Sequence, residues 1–139
     1  EQLATPLSSP AMPGGRKMLV VDDNQDAATM VAELLRGFGN EVSVAFDGQE
    51  AISFFHHELP NVVLLDIGLP GMDGYTVART LRANAAPGNF TLIALTGYGQ
   101  PEDIRKSFEA GFDHHLTKPL DINKLLDILA TTPDTQVLS

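Results

Sequence analysis

The sequence has no cysteine, which excludes disulfides and thiolate metal sites and makes a reducing compartment its natural setting. No apolar run approaches the ~20 residues of a membrane-spanning helix, and no signal peptide is visible at the start. Positive charge is scarce: 9 Lys and Arg stand against 18 Asp and Glu, a formal net charge of −9. That balance argues against a nucleic-acid backbone or an anionic membrane as this domain's own partner, and suits a cation or a basic protein surface. Internal repeats and low-complexity tracts are missing as well. What is there, 139 residues with an apolar share of 43%, suffices for one domain with a sizeable core.

The chain begins at Glu1 and not Met, and is expected to be a piece of something longer. Residues 1–15 hold Pro6, Pro10, Pro13, Gly14 and Gly15 with Ser8 and Ser9, the composition of a flexible linker. The domain is expected over 16–130, with 131–139 a frayed tail. Strands are expected at Met18–Val21, Val42–Ala45, Val62–Asp66, Leu92–Leu95 and around His114–Thr117. Between them, Ala27, Met30, Val31, Leu34, Leu35 and Phe38 fall on one helical stripe closed near Gly39. Asp47 and Glu50 form a capping box for a helix through Ala51, Ile52 and Phe55, stopped by Pro60. Asp73 caps a helix carrying Val77, Ala78 and Leu81, with its exit at Pro87-Gly88. Pro101, Glu102 and Asp103 suit a first helical turn and Gly111 its stop; Asp121 caps a last helix with Ile122, Leu125, Leu126 and Leu129. The alternation gives an α/β fold: a doubly wound, five-stranded parallel sheet with helices on both faces.

Asp22, Asp23, Asp66, Thr96 and Lys118 all follow apolar strands directly. In a doubly wound sheet such ends lie along one edge, and in the flavodoxin-like order 2-1-3-4-5 the ligand crevice opens between the first and third strands. Those strands end in Asp22-Asp23 and Asp66. Two carboxylates about 4 Å apart repel by roughly 4 kcal/mol at an effective dielectric near 20, so three demand positive charge. Lys118 supplies one; a hard divalent cation on oxygen ligands, Mg²⁺, is expected to supply the rest. A cation with open ligand positions beside a carboxylate nucleophile is what phosphoryl transfer needs, with Asp66 as acceptor and the Thr96 hydroxyl as a hydrogen-bond donor.

Each residue alone has a plainer reading. An Asp after a strand is ordinarily the N-cap of the next helix, a strand-end Thr belongs to a turn, and a lone Lys is a solvated charge. It is their convergence that points to a site. His56-His57 and His114-His115 are sequence neighbours that point apart, so neither pair is a natural metal site. Tyr75 and Tyr98 read as aromatics at the edge of the core.

With these residues in view, the sequence closely resembles the receiver domains of bacterial two-component response regulators. The pieces that carry the resemblance are Val20-Val21-Asp22-Asp23-Asn24, the run Leu65 to Gly74, Ala94-Leu95-Thr96-Gly97 and Thr117-Lys118-Pro119. The spacings agree too, Thr96 standing 30 residues after Asp66 and Lys118 22 after Thr96. The resemblance implies that Asp66 takes a phosphoryl group from a phosphohistidine on a partner, a histidine kinase dimerisation/phosphotransfer domain or a histidine phosphotransfer protein. It implies Mg²⁺ on Asp23 and Asp66, on Asp22 largely through water, and on the carbonyl of Gly68. Lys118 would pair with the phosphoryl oxygens, Pro119 would follow a cis bond, and Thr96 would move toward the phosphoryl group. Two positions depart from the family's pattern. His115 stands where the switch partner of the threonine is normally Tyr or Phe, and a smaller, polar ring there makes weak or pH-sensitive switching the expectation in place of the usual aromatic switch. Gly68 offers no side chain to position or exclude a hydrolytic water.

The upstream linker and the run Gly111 to Leu116 resemble receivers at the C-terminus of hybrid sensor histidine kinases, which implies a cytoplasmic domain, in a parent protein that is itself a phosphotransferase. A stand-alone receiver, a truncated response regulator and a non-phosphorylated pseudo-receiver are the alternatives. A haloacid-dehalogenase-type phosphatase would need an acid two residues after Asp66, where Gly68 stands. A flavodoxin-like phosphate loop would be repelled by Asp22-Asp23.

Overall fold

A computed structural model describes residues 15–69, 73–83, 90–97 and 101–131. The linker up to residue 14, the turn at Pro70, Gly71 and Met72, the Pro87-Gly88 exit, Tyr98 and the tail beyond Thr131 lie outside the described residues. In chain order the elements are β1 (Lys17–Val21), α1 (Gln25–Gly37), β2 (Glu41–Ala45), α2 (Gly48–Glu58), β3 (Val62–Asp66), α3 (Gly74–Ala83), β4 (Thr91–Thr96), α4 (Pro101–Ala110), β5 (His114–Thr117) and α5 (Ile122–Thr131). The strands form one parallel sheet in the order β2-β1-β3-β4-β5.

The middle residues of the central strands are apolar because both faces of the sheet are covered, with polar residues at the strand ends: Lys17, Asp66, Thr91 and Thr96. Leu19, Val21, Val63, Leu65, Leu92 and Ala94 share one core with Ala51 and Phe55 of α2 and Val77, Ala78 and Leu81 of α3. Met18, Val20, Val62, Leu64, Ile93 and Leu95 share the other with α1 and α5. The helices begin where the sequence offers a cap. Asn24 Oδ1 accepts the Ala27 amide at 3.0 Å. Asp47 accepts the Glu50 amide at 2.8 Å while the Glu50 carboxylate accepts that of Phe46 at 2.7 Å. Asp73 accepts the Thr76 amide at 2.8 Å. At the end of α4, Gly111 turns left-handed with φ +110°, and the amides of Gly111 and Phe112 return to the carbonyls of Phe108 and Ser107, closing a Schellman motif.

The α1 stripe differs from the expectation. Its buried residues are Ala28, Ala32 and Leu35, whereas Met30 is 63% and Leu34 48% exposed. Pattern reading favours the longest apolar side chains, but two alanines one turn apart bring the helix backbone close to β1, and the stripe rotates to follow them. A second feature has no counterpart in the sequence pattern. Arg82, at the end of α3, donates to the carbonyls of Gly111 at 2.7 Å and Phe90 at 3.3 Å, pairs with Asp113, and lies 4.4 Å over the Phe90 ring. Asp113 also accepts the Leu92 amide at 2.9 Å. The starting ends of β4 and β5 are thereby pinned to α3, at the sheet edge away from the acidic residues.

Candidate functional site

Backbone ladders carry the strand-end residues into register. The Asp22 amide donates to the Ala45 carbonyl at 3.1 Å, the Ile67 amide to Leu95 at 3.0 Å and the Lys118 amide to Thr96 at 2.7 Å. Each bond continues a parallel ladder just past its strand, so the side chains that follow are held above the same sheet edge. The loop from β3 into α3 is tight. The Gly74 amide returns to the Ile67 carbonyl at 2.9 Å, and a Cβ at Gly74 would sit 2.5 Å from Ile67 Cα. Only glycine permits that approach, and it fixes the segment bearing Asp66.

Asp22, Asp23 and Asp66 each offer a carboxylate oxygen within 4.8 Å of the others'. Asp22 and Asp66 are 5% and 4% exposed, and Asp23 faces solvent. Asp66 Oδ1 accepts the Gly68 amide at 2.9 Å and Oδ2 accepts Lys118 Nζ at 2.8 Å. Lys118 Nζ stands 4.0 Å from Asp22 Oδ2. Asp22 Oδ1 in turn accepts the Asn24 amide at 2.9 Å, so the cap of α1 also orients a site carboxylate. The Lys118-Pro119 peptide is cis.

The charges do not balance within the chain. Burial pushes the Asp22 carboxyl above the ordinary carboxylate range; the Asn24 amide opposes this, and the Asp66 charge adds to it. Burial alone would lower Lys118, but its bond to Asp66 and the charges of Asp66, Asp22 and Asp23 hold it above the ordinary lysine value. One ammonium thus faces three carboxylates, one of which resists ionisation. The donor set is all oxygen and one flank is open to solvent, a fit for a hard divalent cation that keeps some of its water.

Thr96 and His115 lie beside this cluster. Thr96 closes β4 and is buried; its Oγ1 lies 3.0 Å from His115 Nε2. His115 is half-buried, which lowers its pKa below the usual imidazole value, with the Asp103 carboxylate acting the other way. His56, His57 and His114 take no part in any acidic or imidazole cluster among the described residues. Beside the acidic cluster runs an apolar cleft of about 360 Å³, lined by Met30, Leu34, Pro119, Leu120 and Ile122 together with Asp22 and Lys118 of the cluster. Sequence reading missed Asn24 both as a site residue and as a cap, although its type and its place before α1 are those of an N-cap. It also missed Met30 and Leu34 as cleft walls, because in one sequence an exposed apolar residue looks the same as a core one.

The family model described as the response regulator receiver domain matches residues 18–130. The chain belongs to that family. This receiver domain is 34% identical over 122 residues to an uncharacterized 14.6 kDa protein of Leptolyngbya boryana, covering 84% of this chain and 93% of that one. It is 35% identical over 111 residues to the DNA-binding response regulator MtrA of Mycolicibacterium paratuberculosis, covering 80% of this chain but 48% of that protein, so it spans about half of such a regulator. Among solved structures, chemotaxis protein CheY4 of Vibrio cholerae superposes with a TM-score of 0.79 at 28% identity, over 85% of this chain and 98% of the other. The receiver fold and the two-component assignment agree with the strand order and with the acidic cluster at the switch point of the sheet.

Proposed function

We propose that this receiver domain accepts a phosphoryl group on Asp66, with Mg²⁺, from a phosphohistidine of a histidine kinase or a histidine phosphotransfer protein. The observation that carries the reading is the Asp66 carboxylate: buried, bound to Lys118 Nζ at 2.8 Å, and within 4.8 Å of the carboxylates of Asp22 and Asp23. An Asp66 oxygen attacks phosphorus and the phosphorus–nitrogen bond to the donor ring breaks. The donor imidazole leaves with that electron pair, neutral when its other nitrogen carries a proton. Lys118 is already aimed at Asp66 and would follow the charge onto the phosphoryl oxygens, to which Thr96 would donate its hydroxyl hydrogen. Mg²⁺ on Asp22, Asp23, Asp66 and the Gly68 carbonyl would supply charge to the phosphoryl oxygens and relieve the repulsion among the carboxylates. The cleft beside the cluster suits the apolar flank of a donor protein, since Asp22 and Lys118 of the cluster are among its lining residues.

Incubation with a small phosphodonor and Mg²⁺ should add one phosphoryl mass to the chain and none to Asp66→Asn. Equal labelling of both would overturn the assignment. The run Gly111 to Leu116 supports a place as the C-terminal receiver of a cytoplasmic hybrid sensor histidine kinase. A stand-alone receiver is the second reading, favoured by the Leptolyngbya relative, whose length this chain covers almost wholly.

A further inference from the structure

On the same sheet edge, one side-chain pair has no share in holding a cation: Thr96 Oγ1 and His115 Nε2, 3.0 Å apart. A hydroxyl has one hydrogen, and an imidazole nitrogen has either one or none, so this bond exists in two incompatible forms. Where Nε2 is bare, the Thr96 hydroxyl must donate to the ring. Where Nε2 carries hydrogen, the ring donates, Thr96 accepts, and its own hydrogen is released to another acceptor. Thr96 follows Leu95, the β4 residue paired with Asp66 in the sheet register. The acceptor it can then serve is whatever Asp66 carries.

We propose that His115 is a positioning residue for phosphoryl transfer: hydrogen on its Nε2 turns the Thr96 hydroxyl from the ring toward phosphoryl oxygens on Asp66. This rests on the phosphoacceptor reading above. An imidazolium has hydrogen on both nitrogens and can only donate, so protonation selects the productive form. By reciprocity, a phosphoryl group on Asp66 raises the proton affinity of His115. Among the described residues, the charged groups that face the ring are Asp103 from α4 and Asp121 and Lys124, which line a small hollow against it. Two are acidic and one basic. Burial lowers the proton affinity of the resting ring below that of a free imidazole, which leaves the proton to be taken up on loading.

The test is the ring titration of His115 by NMR, with and without Mg²⁺ and beryllofluoride, a stand-in for the phosphoryl group. Loading should raise the ring's proton affinity by about fivefold or more in the natural chain and in Thr96→Ser. In Thr96→Val, of nearly the same shape, the rise should vanish. His115→Gln, whose amide donates at any pH, should bind beryllofluoride with an affinity independent of pH between 6 and 8 (~two units about the histidine range), where the natural chain binds more tightly as pH falls. An equal rise in Thr96→Val would mean that charge acts through space without the hydroxyl, and would overturn the proposal. So would an unchanged ring titration on loading. Intact-mass labelling with a small phosphodonor separates the two readings. A labelled Asp66 with an unmoved His115 removes this proposal alone, and an unlabelled chain removes both.

Discussion

The Asp22 carboxyl is held above the ordinary carboxylate range chiefly by burial, with the neighbouring Asp66 charge adding to it. A carboxyl whose native pKa exceeds its unfolded one stabilises the fold below the unfolded value, and that contribution is lost as pH rises through the native value. At neutral pH the ionised side chain therefore costs stability. Asp22→Asn keeps an acceptor for the Asn24 amide and removes the charge. Without metal it should melt higher than the natural chain by on the order of a few degrees, and Mg²⁺ should raise its melting temperature less. A lower melting temperature in the metal-free variant would mean the charge is already compensated. Lys118 runs the other way: its native pKa lies above the ordinary lysine value. Its contribution is complete below that ordinary value and is lost as pH climbs through the native one. The side chain is 39% exposed, so Lys118→Met should lower stability at pH ~7 by no more than about 1 kcal/mol. Urea unfolding should find that difference shrinking above the lysine range. The five strand-end residues could be read from the sequence because an apolar run ending in a polar group announces itself. Which oxygen Lys118 takes, and that Thr96 turns to His115, depend on rotamers that only the packed structure decides.

Among the elements, α1 and the β3–α3 loop are the informative ones. Ala28 and Ala32 are fully buried against the sheet while Met30 and Leu34 stand out, which reverses the size ranking on which a hydrophobic stripe is drawn. Ala32→Leu should accordingly cost about 1–3 kcal/mol by overpacking, whereas Leu34→Gln should stay within about 0.5 kcal/mol and weaken only the uptake of phosphate from a protein donor. Chemical denaturation reads the first difference and transfer kinetics the second; the opposite order of stabilities would restore the stripe as expected from the sequence. In the loop, Gly74→Ala sets a methyl 2.5 Å from Ile67 Cα and must move the segment that bears Asp66. Gly68→Ala places one 3.6 Å from Asp66 Oδ1, an ordinary contact. Phosphorylation by a small donor should therefore fall in the Gly74 variant and persist in the Gly68 one. The caps at Asp47 and Asp73 were legible because capping is local chemistry. The Arg82–Asp113 pair, 31 residues apart, was not, because nothing local brings it together.

For the molecule as a whole, strand order decided everything else. Alternating apolar runs and amphipathic stripes leave few arrangements, and the one adopted sets β1 beside β3, so that acidic residues 44 positions apart in sequence, Asp22 and Asp66, share a crevice. A ligand that binds only the folded crevice stabilises the folded state against global unfolding: Mg²⁺ at 100 times its dissociation constant should add about 2.7 kcal/mol. Calorimetry with Mg²⁺ and with a chelator measures this, and Asp66→Asn should lose most of the gain. The Arg82 contacts set a mechanical boundary on any such response. They anchor β4 and β5 where those strands begin, whereas Thr96 closes β4 at its other end. A beam clamped at one end and loaded at the other deflects most at its tip. Any displacement that charge on Asp66 produces is thus expected at the end of β4 that carries Thr96, and not where Arg82 holds the strands.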